Sequence, residues 1–311
     1  MEPILEVKGL SIAFQQYDAG TRQRRLPVIR DLSLSIGAGQ VVAVVGSSGS
    51  GKSLLAHGIL GILPYNAAME GEIRYDGERL TPGRVEALRG REIVLVPQGV
   101  TYLDPLMKVG PQIRRGKRSP EARAKSRSVL ERYGLGAETE ELYPFELSGG
   151  MARRVLISTA VMETPRLVIA DEPTPGLDAR AAGRILGHFR EIADAGAGML
   201  LITHDLELAL TIADRVVVFY AGETVEEADA ADFAAGRLRH PYTRALWRAL
   251  PQNGFMPIPG AQPYPGEMAG GCLFAPRCPH CRPACRAAAV PYRAADGGRV
   301  RCLYPEEGGT P

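Results

Sequence analysis

The sequence predicts an α/β fold: a mostly parallel sheet covered on both faces by helices, with a helical insertion and a small cysteine-containing C-terminal extension. Three observations carry this. Short apolar strands at 41–45, 167–171, 198–203 and 215–220 alternate with helical patterns, as expected when crossover helices join parallel strands. The run VVAVV (41–45) is continuous, apolar and β-branched, which suits a strand buried on both faces. All five cysteines fall within the last 40 of the 311 residues.

Taken in order, LEVKGLSIAF alternates like a half-buried strand, and DLSLSI reads as its neighbour. The polar stretch between them, QQYDAGTRQRR, predicts a hairpin loop. VVAVV leads into a Gly/Ser-rich loop and then an apolar helix over SLLAHGILGIL. Residues 100–160 differ in texture. SPEARAKSRSVLERYGL there predicts a helix with Ser119 as cap and Pro120 in the first turn. Beyond about residue 235, RHPYTRALWRAL predicts a short amphipathic helix. Residues 251–271 hold five Pro and five Gly, a linker composition.

Hydrophobic residues at 45% support a substantial core. A net charge of +2, from 37 basic and 35 acidic side chains, demands neither nucleic acid nor a membrane surface as partner. No apolar run reaches the ~18 residues of a membrane span. MEPILEVKGL lacks a basic segment followed by an apolar one, so no secretion signal and a cytosolic location are expected. In a reducing compartment clustered thiols hold a metal more often than they form disulfides. The run Arg114-Arg115-Gly116-Lys117-Arg118 has no interleaved aromatics and reads as a solvated helical face.

The chemistry begins at Gly46-Ser47-Ser48-Gly49-Ser50-Gly51-Lys52-Ser53, which fits G-x-x-x-x-G-K-[ST] between a strand and a helix. The glycines let backbone amides wrap a phosphate beside the positive end of the helix dipole. Lys52 is placed to reach the β- and γ-phosphates of ATP, and the Ser53 hydroxyl to ligate Mg²⁺. The apolar strand LVIA ends in Asp171-Glu172. A carboxylate there is costly without a cation or hydrogen-bond donors. Asp171 is read as holding Mg²⁺, and Glu172 as polarising the attacking water.

Leu147-Ser148-Gly149-Gly150-Met151 completes a pattern that resembles the ABC ATPase family. The resemblance implies a P-loop NTPase fold of the ABC type over residues 1–235. Its parts would be a RecA-like core, an antiparallel β subdomain and a helical subdomain at about 100–160, followed by the extension at 236–311. It implies that Ser148, Gly149 and Gly150 bind the γ-phosphate of ATP held by an opposed subunit. It implies that Gln98 senses Mg²⁺ and the γ-phosphate, that Asp178 lies in a loop crossing a dimer interface, and that His204 contacts the γ-phosphate and the attacking water. Catalysis would rest on Glu172, His204 and Gln98. Phe14 is the candidate for stacking on adenine, with Tyr17 beside it. Four positions depart from the family pattern, namely Gly99, Met151, Pro175 and Gly176, and these touch interface contacts rather than catalytic groups.

His240-Pro241-Tyr242-Thr243-Arg244-Ala245-Leu246, Tyr143-Pro144-Phe145-Glu146, and Gly271-Cys272-Leu273-Phe274-Ala275-Pro276-Arg277-Cys278-Pro279 resemble the dipeptide/oligopeptide/nickel importer subfamily. That resemblance implies an ATP-hydrolysing subunit on the cytoplasmic face of the membrane. Its expected partners are a second ATPase subunit (a paralogue or a second copy) in a head-to-tail dimer, two membrane permeases, and, indirectly, an extracytoplasmic solute-binding protein. No nucleic acid is expected. Matching the subfamily residue by residue assigns Cys272, Cys278, Cys285 and Cys302 to a [4Fe–4S] cluster, with zinc as the lesser alternative and Cys281 as a supernumerary thiol. An exporter ATPase, or an ABC ATPase acting on DNA or ribosomes, are the competing functions.

Overall fold

A computed structural model describes residues 2–17, 20–47, 49–264, 270–295 and 297–305. In chain order the first half forms strands β1 (Leu5–Tyr17), β2 (Gln23–Ile36) and β3 (Val41–Gly46), helix α1 (Lys52–Ile59), β4 (Ala67–Tyr75), β5 (Glu78–Arg79), α2 (Pro82–Leu88), β6 (Ile93–Val96), and helices α3 (Val109–Ile113) and α4 (Pro120–Arg132). The second half forms α5 (Gly149–Val161), β7 (Leu167–Asp171), α6 (Ala179–Asp194), β8 (Gly198–Thr203), α7 (Leu206–Leu210), β9 (Arg215–Tyr220), β10 (Glu223–Asp229), α8 (Ala230–Ala234), α9 (Pro241–Arg248), α10 (Ala284–Ala287), β11 (Arg293–Ala295) and β12 (Gly298–Val300).

Two sheets result. One is antiparallel with order β2-β1-β4-β5, and the other runs β11-β12-β10-β9-β3-β8-β7-β6. The strands β9, β3, β8, β7 and β6 are mutually parallel, and β10, β12 and β11 extend that sheet antiparallel.

Alternate residues of the central strands feed two different cores. Val41, Ala43 and Val45 pack with α6, α7 and the extension residues Tyr242, Leu273 and Phe274. Val42 and Val44 pack with α1 and the antiparallel sheet. That is why VVAVV shows no alternation: neither face of β3 meets water. The insertion between β6 and β7 has a separate small core built from Leu103, Val109, Ile113, Leu130, Val155 and their neighbours. In α4 the Ser119 hydroxyl accepts from the Ala122 N–H at 3.2 Å, the cap expected from sequence.

Two expectations hold only in part. The hairpin at QQYDAGTRQRR forms, but its strands run into the segment, where Gln15, Gln16 and Tyr17 pair with Arg25, Arg24 and Gln23; residues 18 and 19 lie outside the described residues. Both faces of that hairpin end are exposed, so no apolar alternation marks it. The basic run is exposed from Arg115 to Arg118, as expected, but it is not helical and its first residue is buried. Arg114 is buried in an ion pair with Glu140 at 2.6 Å, Arg115 donates to the Gly90 carbonyl, and Lys117 pairs with Glu163 at 2.6 Å. The chain turns there, with positive φ at Arg115 and Gly116. Partners 26 to 46 residues away are invisible to local patterning.

Candidate functional site

The four segments carrying chemistry leave the sheet at the C-terminal ends of adjacent parallel strands, where α/β sheets place ligands. In the order β3-β8-β7-β6, Val45 stands opposite Thr203, Asp171 opposite Ile202, and Val96 opposite Ala170. The phosphate loop, His204, Asp171-Glu172 and Gln98 therefore emerge from neighbouring strands about 4.8 Å apart.

The loop is shaped by close approach. A Cβ on Gly46 would lie 2.1 Å from the Phe219 carbonyl oxygen on β9, so no side chain fits. Gly51, at φ 95°, opens α1 with no side-chain cap, which leaves the first amides of the helix available to an anion. Lys52 is buried, and its ammonium donates to the carbonyls of Gly46 and Ser47, both at 2.9 Å. Burial lowers its pKa, while the carboxylates of Glu172 and Asp171 oppose the shift. Ser50 Oγ is buried without a hydrogen-bond partner. Gly49 belongs to the same loop with φ 77°, and Ser48 lies outside the described residues.

Asp171 ends β7 almost fully buried, and its Oδ1 has no hydrogen-bond partner. Burial holds its carboxyl above the usual range, and a hydrogen bond with Ser53 pulls against that. An orphaned carboxylate oxygen beside a serine hydroxyl is the hard-oxygen donor set that Mg²⁺ takes. The residues present fit that ion.

Glu172 has φ 47°, a left-handed conformation costly for a non-glycine residue and typical of functional sites. Its backbone N–H donates to the Ile202 carbonyl at 2.8 Å, which holds the bend in place. His204 Nδ1 lies 2.9 Å from both Glu172 carboxylate oxygens. An ionised carboxylate only accepts, so Nδ1 carries the proton and Nε2 is left for another partner. The Thr203 hydroxyl donates to Glu172 Oε2 at 3.4 Å.

Gln98 is exposed, just beyond the end of β6. Beside it the Pro97 carbonyl accepts from Arg153 at 3.1 Å. Arg153 went unpredicted. It is buried on α5, and its pKa responds to burial first and then to Glu172 and Asp171. The signal available was a charged residue on the apolar stripe of Ala152, Leu156 and Ala160. Ser148 caps α5, accepting from the Met151 N–H at 3.3 Å. Ser148 and Gly149 are exposed, and a Cβ at Gly149 would meet nothing within 4 Å. Gly150 faces the Gly176 carbonyl and Leu177, so the end of α5 and the turn before α6 share one surface. Asp178 caps α6 by accepting from the Ala181 N–H at 2.8 Å. A cleft of about 500 Å³ alongside is lined by Thr174, Gly176, Leu177, Thr203 and His204. Phe14 is half-buried on β1 opposite Leu26, and Tyr17 is exposed at the strand's end with its hydroxyl accepting from Gln23.

The extension is bolted to the core through β10. Glu226 is fully buried, and its carboxylate accepts from the N–H groups of Arg239 and His240, both at 2.8 Å, where α9 begins. Burial raises its pKa, and those two amides pull against the shift. Cys272, Cys278, Cys285 and Cys302 line one small cavity of about 20 Å³, and no cysteine is in a disulfide. Burial pushes the Cys272 thiol up to about 11 and raises Cys302 as well. Among the described residues no three His, Cys, Asp or Glu side chains are arranged to hold a metal. As placed, the four thiols share a cavity without forming a coordination shell, so the cluster that the subfamily resemblance implied is not formed by this arrangement.

Residues 29–175 match the ABC transporter family, and residues 225–285 match the family described as oligopeptide/dipeptide transporter, C-terminal region. The chain is 35% identical to the dipeptide transport ATP-binding protein DppD of Escherichia coli (strain K12), covering 99% of both. It is 38% identical to the oligopeptide transport ATP-binding protein OppD of Mycobacterium tuberculosis, over 90% of this chain and 48% of that protein, so it spans about half the length of that relative. A dimeric post-hydrolysis structure of the ATP-binding cassette MJ0796 bound to ADP and Pi superposes with a TM-score of 0.64 at 25% identity, covering 73% of this chain and 98% of that one. A structure of an ATP-binding subunit of an ABC transporter gives 0.60 at 28% identity, covering 74% and 91%.

Proposed function

This chain belongs to the ABC transporter ATP-binding proteins, in their oligopeptide and dipeptide branch, and on that premise we propose that it hydrolyses ATP to energise import of small peptides. The observation that carries the reading is the convergence at one sheet edge of an uncapped helix start, a buried lysine, an orphaned Asp171 oxygen and the Glu172–His204 pair.

The loop from Gly46 to Ser53 binds the phosphates, with Lys52 exchanging its two carbonyl partners for phosphate oxygens. Asp171 and Ser53, with Gln98, would hold Mg²⁺, which when bound would offset negative charge on the phosphate. Glu172 takes up the proton of the attacking water, and His204 orients that carboxylate through Nδ1 and presents Nε2 to the γ-phosphate. The exposed Ser148 and Gly149, with the half-buried Gly150 behind them, serve the nucleotide of an opposed subunit, which seats against the cleft beside His204 and the turn at Asp178. Catalysis is then mainly positioning and electrostatic stabilisation. Phe14 is assigned to adenine. Residues 1–235 act as the ATPase domain and 236–311 as its extension.

The relatives are named for dipeptides and oligopeptides, which supports peptides over nickel or metal chelates as cargo, and an importer over an exporter. No described helix is long and apolar enough to cross a membrane. The chain works at the cytoplasmic face against two permease subunits, fed by a solute-binding protein.

Glu172→Gln tests the reading. Hydrolysis in the assembled transporter should fall at least about 100-fold while ATP binding persists. Turnover close to the parent rate rejects the assignment of Glu172. The four cysteines that share a cavity support a thiolate-bound group, iron–sulfur before zinc, that requires the thiols to turn inward. Purified protein with neither iron, acid-labile sulfide nor zinc removes that part.

A further inference from the structure

The linker, α9 and the cysteine segment converge on one residue of the phosphate loop, Ser47. The Ser47 hydroxyl donates to Gln262 Oε1, from the Pro/Gly-rich linker 215 residues later in the chain. The Tyr242 hydroxyl lies against the side chain and backbone of Ser47, which oppose the burial that raises its pKa. Tyr242 is buried, its ring 4.5 Å from Tyr220 and 5.4 Å from Phe274, centroid to centroid. Its backbone N–H donates to the neutral His240 Nδ1 at 3.0 Å.

Arg277, in the cysteine segment, ties these parts together. It donates to the carbonyls of Pro259 at 2.7 Å and Ile258 at 3.1 Å, and to the Tyr220 hydroxyl at 3.2 Å. The linker is thereby pinned three residues before Gln262.

We propose that the C-terminal extension is a strap that positions the phosphate-binding loop, with Tyr242 and Gln262 holding Ser47 from outside the nucleotide site and Arg277 anchoring the strap. This rests on the ATPase reading above and adds positioning residues to it. The physical need is clear in the loop. Lys52 holds the Gly46 and Ser47 carbonyls from inside. When Lys52 turns to phosphate, those inner contacts are lost, and a glycine-rich loop pays conformational entropy to stay in place. The outer contacts do not involve Lys52 and persist. They hold the loop in its binding shape and reduce the ordering cost of nucleotide binding.

The test is equilibrium binding of a fluorescent ATP analogue with Mg²⁺ to the purified full chain, beside turnover in the assembled transporter. Tyr242→Phe keeps the ring and its packing and removes the hydroxyl. The dissociation constant should rise about fivefold. Turnover at saturating ATP should stay within about twofold and the melting temperature within about 2 °C. Gln262→Ala and Arg277→Ala should shift affinity in the same direction. In a Ser47→Ala background, Gln262→Ala should have no further effect, since its partner is gone. Unchanged affinity in Tyr242→Phe, or additive effects of Ser47→Ala and Gln262→Ala, overturns the strap. A parent chain that binds no nucleotide overturns the ATPase reading instead.

Discussion

The phosphate site and the cysteine module are both recognised from residues at fixed spacing, and the fold treats them differently. At the phosphate site polar atoms are buried and left incomplete: Asp171 Oδ1 and Ser50 Oγ have no partner, and Lys52 rests on carbonyls. Such groups cost free energy until a ligand arrives. In the extension the buried Glu226 carboxylate and His240 ring are met by backbone amides, although Arg239 Nη1 and Thr243 Oγ1 beside them have no partner. The thiols face a cavity of only about 20 Å³. The difference lies in which groups are met: at the phosphate site a carboxylate oxygen is left over beside a lysine, whereas in the extension the buried carboxylate is held by main-chain amides.

The largest expected effect comes from removing unmet valence. Asp171→Asn should lower Mg²⁺-dependent ATP turnover at least about 100-fold. It should leave the melting temperature of the nucleotide-free chain unchanged or raise it, because a buried charge is gone. A marked drop in melting temperature would place Asp171 with the packed groups and break the contrast.

Next comes the reverse case. Glu226→Ala strands the amides that open α9 and should cost about 2–3 kcal/mol, roughly 5–10 °C in thermal denaturation. Little change would show that α9 stands without its buried carboxylate.

The smallest effect is one of pH. Burial pushes His240 down to about 3 from its ordinary 6.5. Between these values the unfolded chain takes up a proton that the folded chain refuses. Stability from this residue is therefore complete above about pH 6.5 and declines as pH falls. The parent should lose about 2–4 °C more than His240→Asn between pH 7 and pH 5. Equal losses would mean that His240 is not held neutral.

Much of the fold was legible because its signals are local. The strands at 167–171, 198–203 and 215–220 fall where apolar β-branched runs placed them, and Ser119 caps the helix it was expected to cap. The β1–β2 hairpin end was read only in part because neither face is covered, so burial writes no pattern there. The basic run was read only in part because Glu140 and Glu163 reach it through tertiary packing. Arg153 and Tyr242 were missed for the same reason: their partners, Pro97 and Ser47, are 56 and 195 residues away.

By itself the sequence determined the chemistry of the phosphate loop, the paired carboxylates and the order of strands and helices along the chain. Those depend on residue types a few positions apart and on backbone preferences that need no distant partner. Only the tertiary structure decided that Glu172 meets His204, that Asp171 keeps an oxygen free, that four thiols share a cavity without a ligand shell, and that the extension reaches back to Ser47. Each of these depends on where strands separated by many residues come to lie side by side, and strand order in a sheet is set by packing of the whole chain.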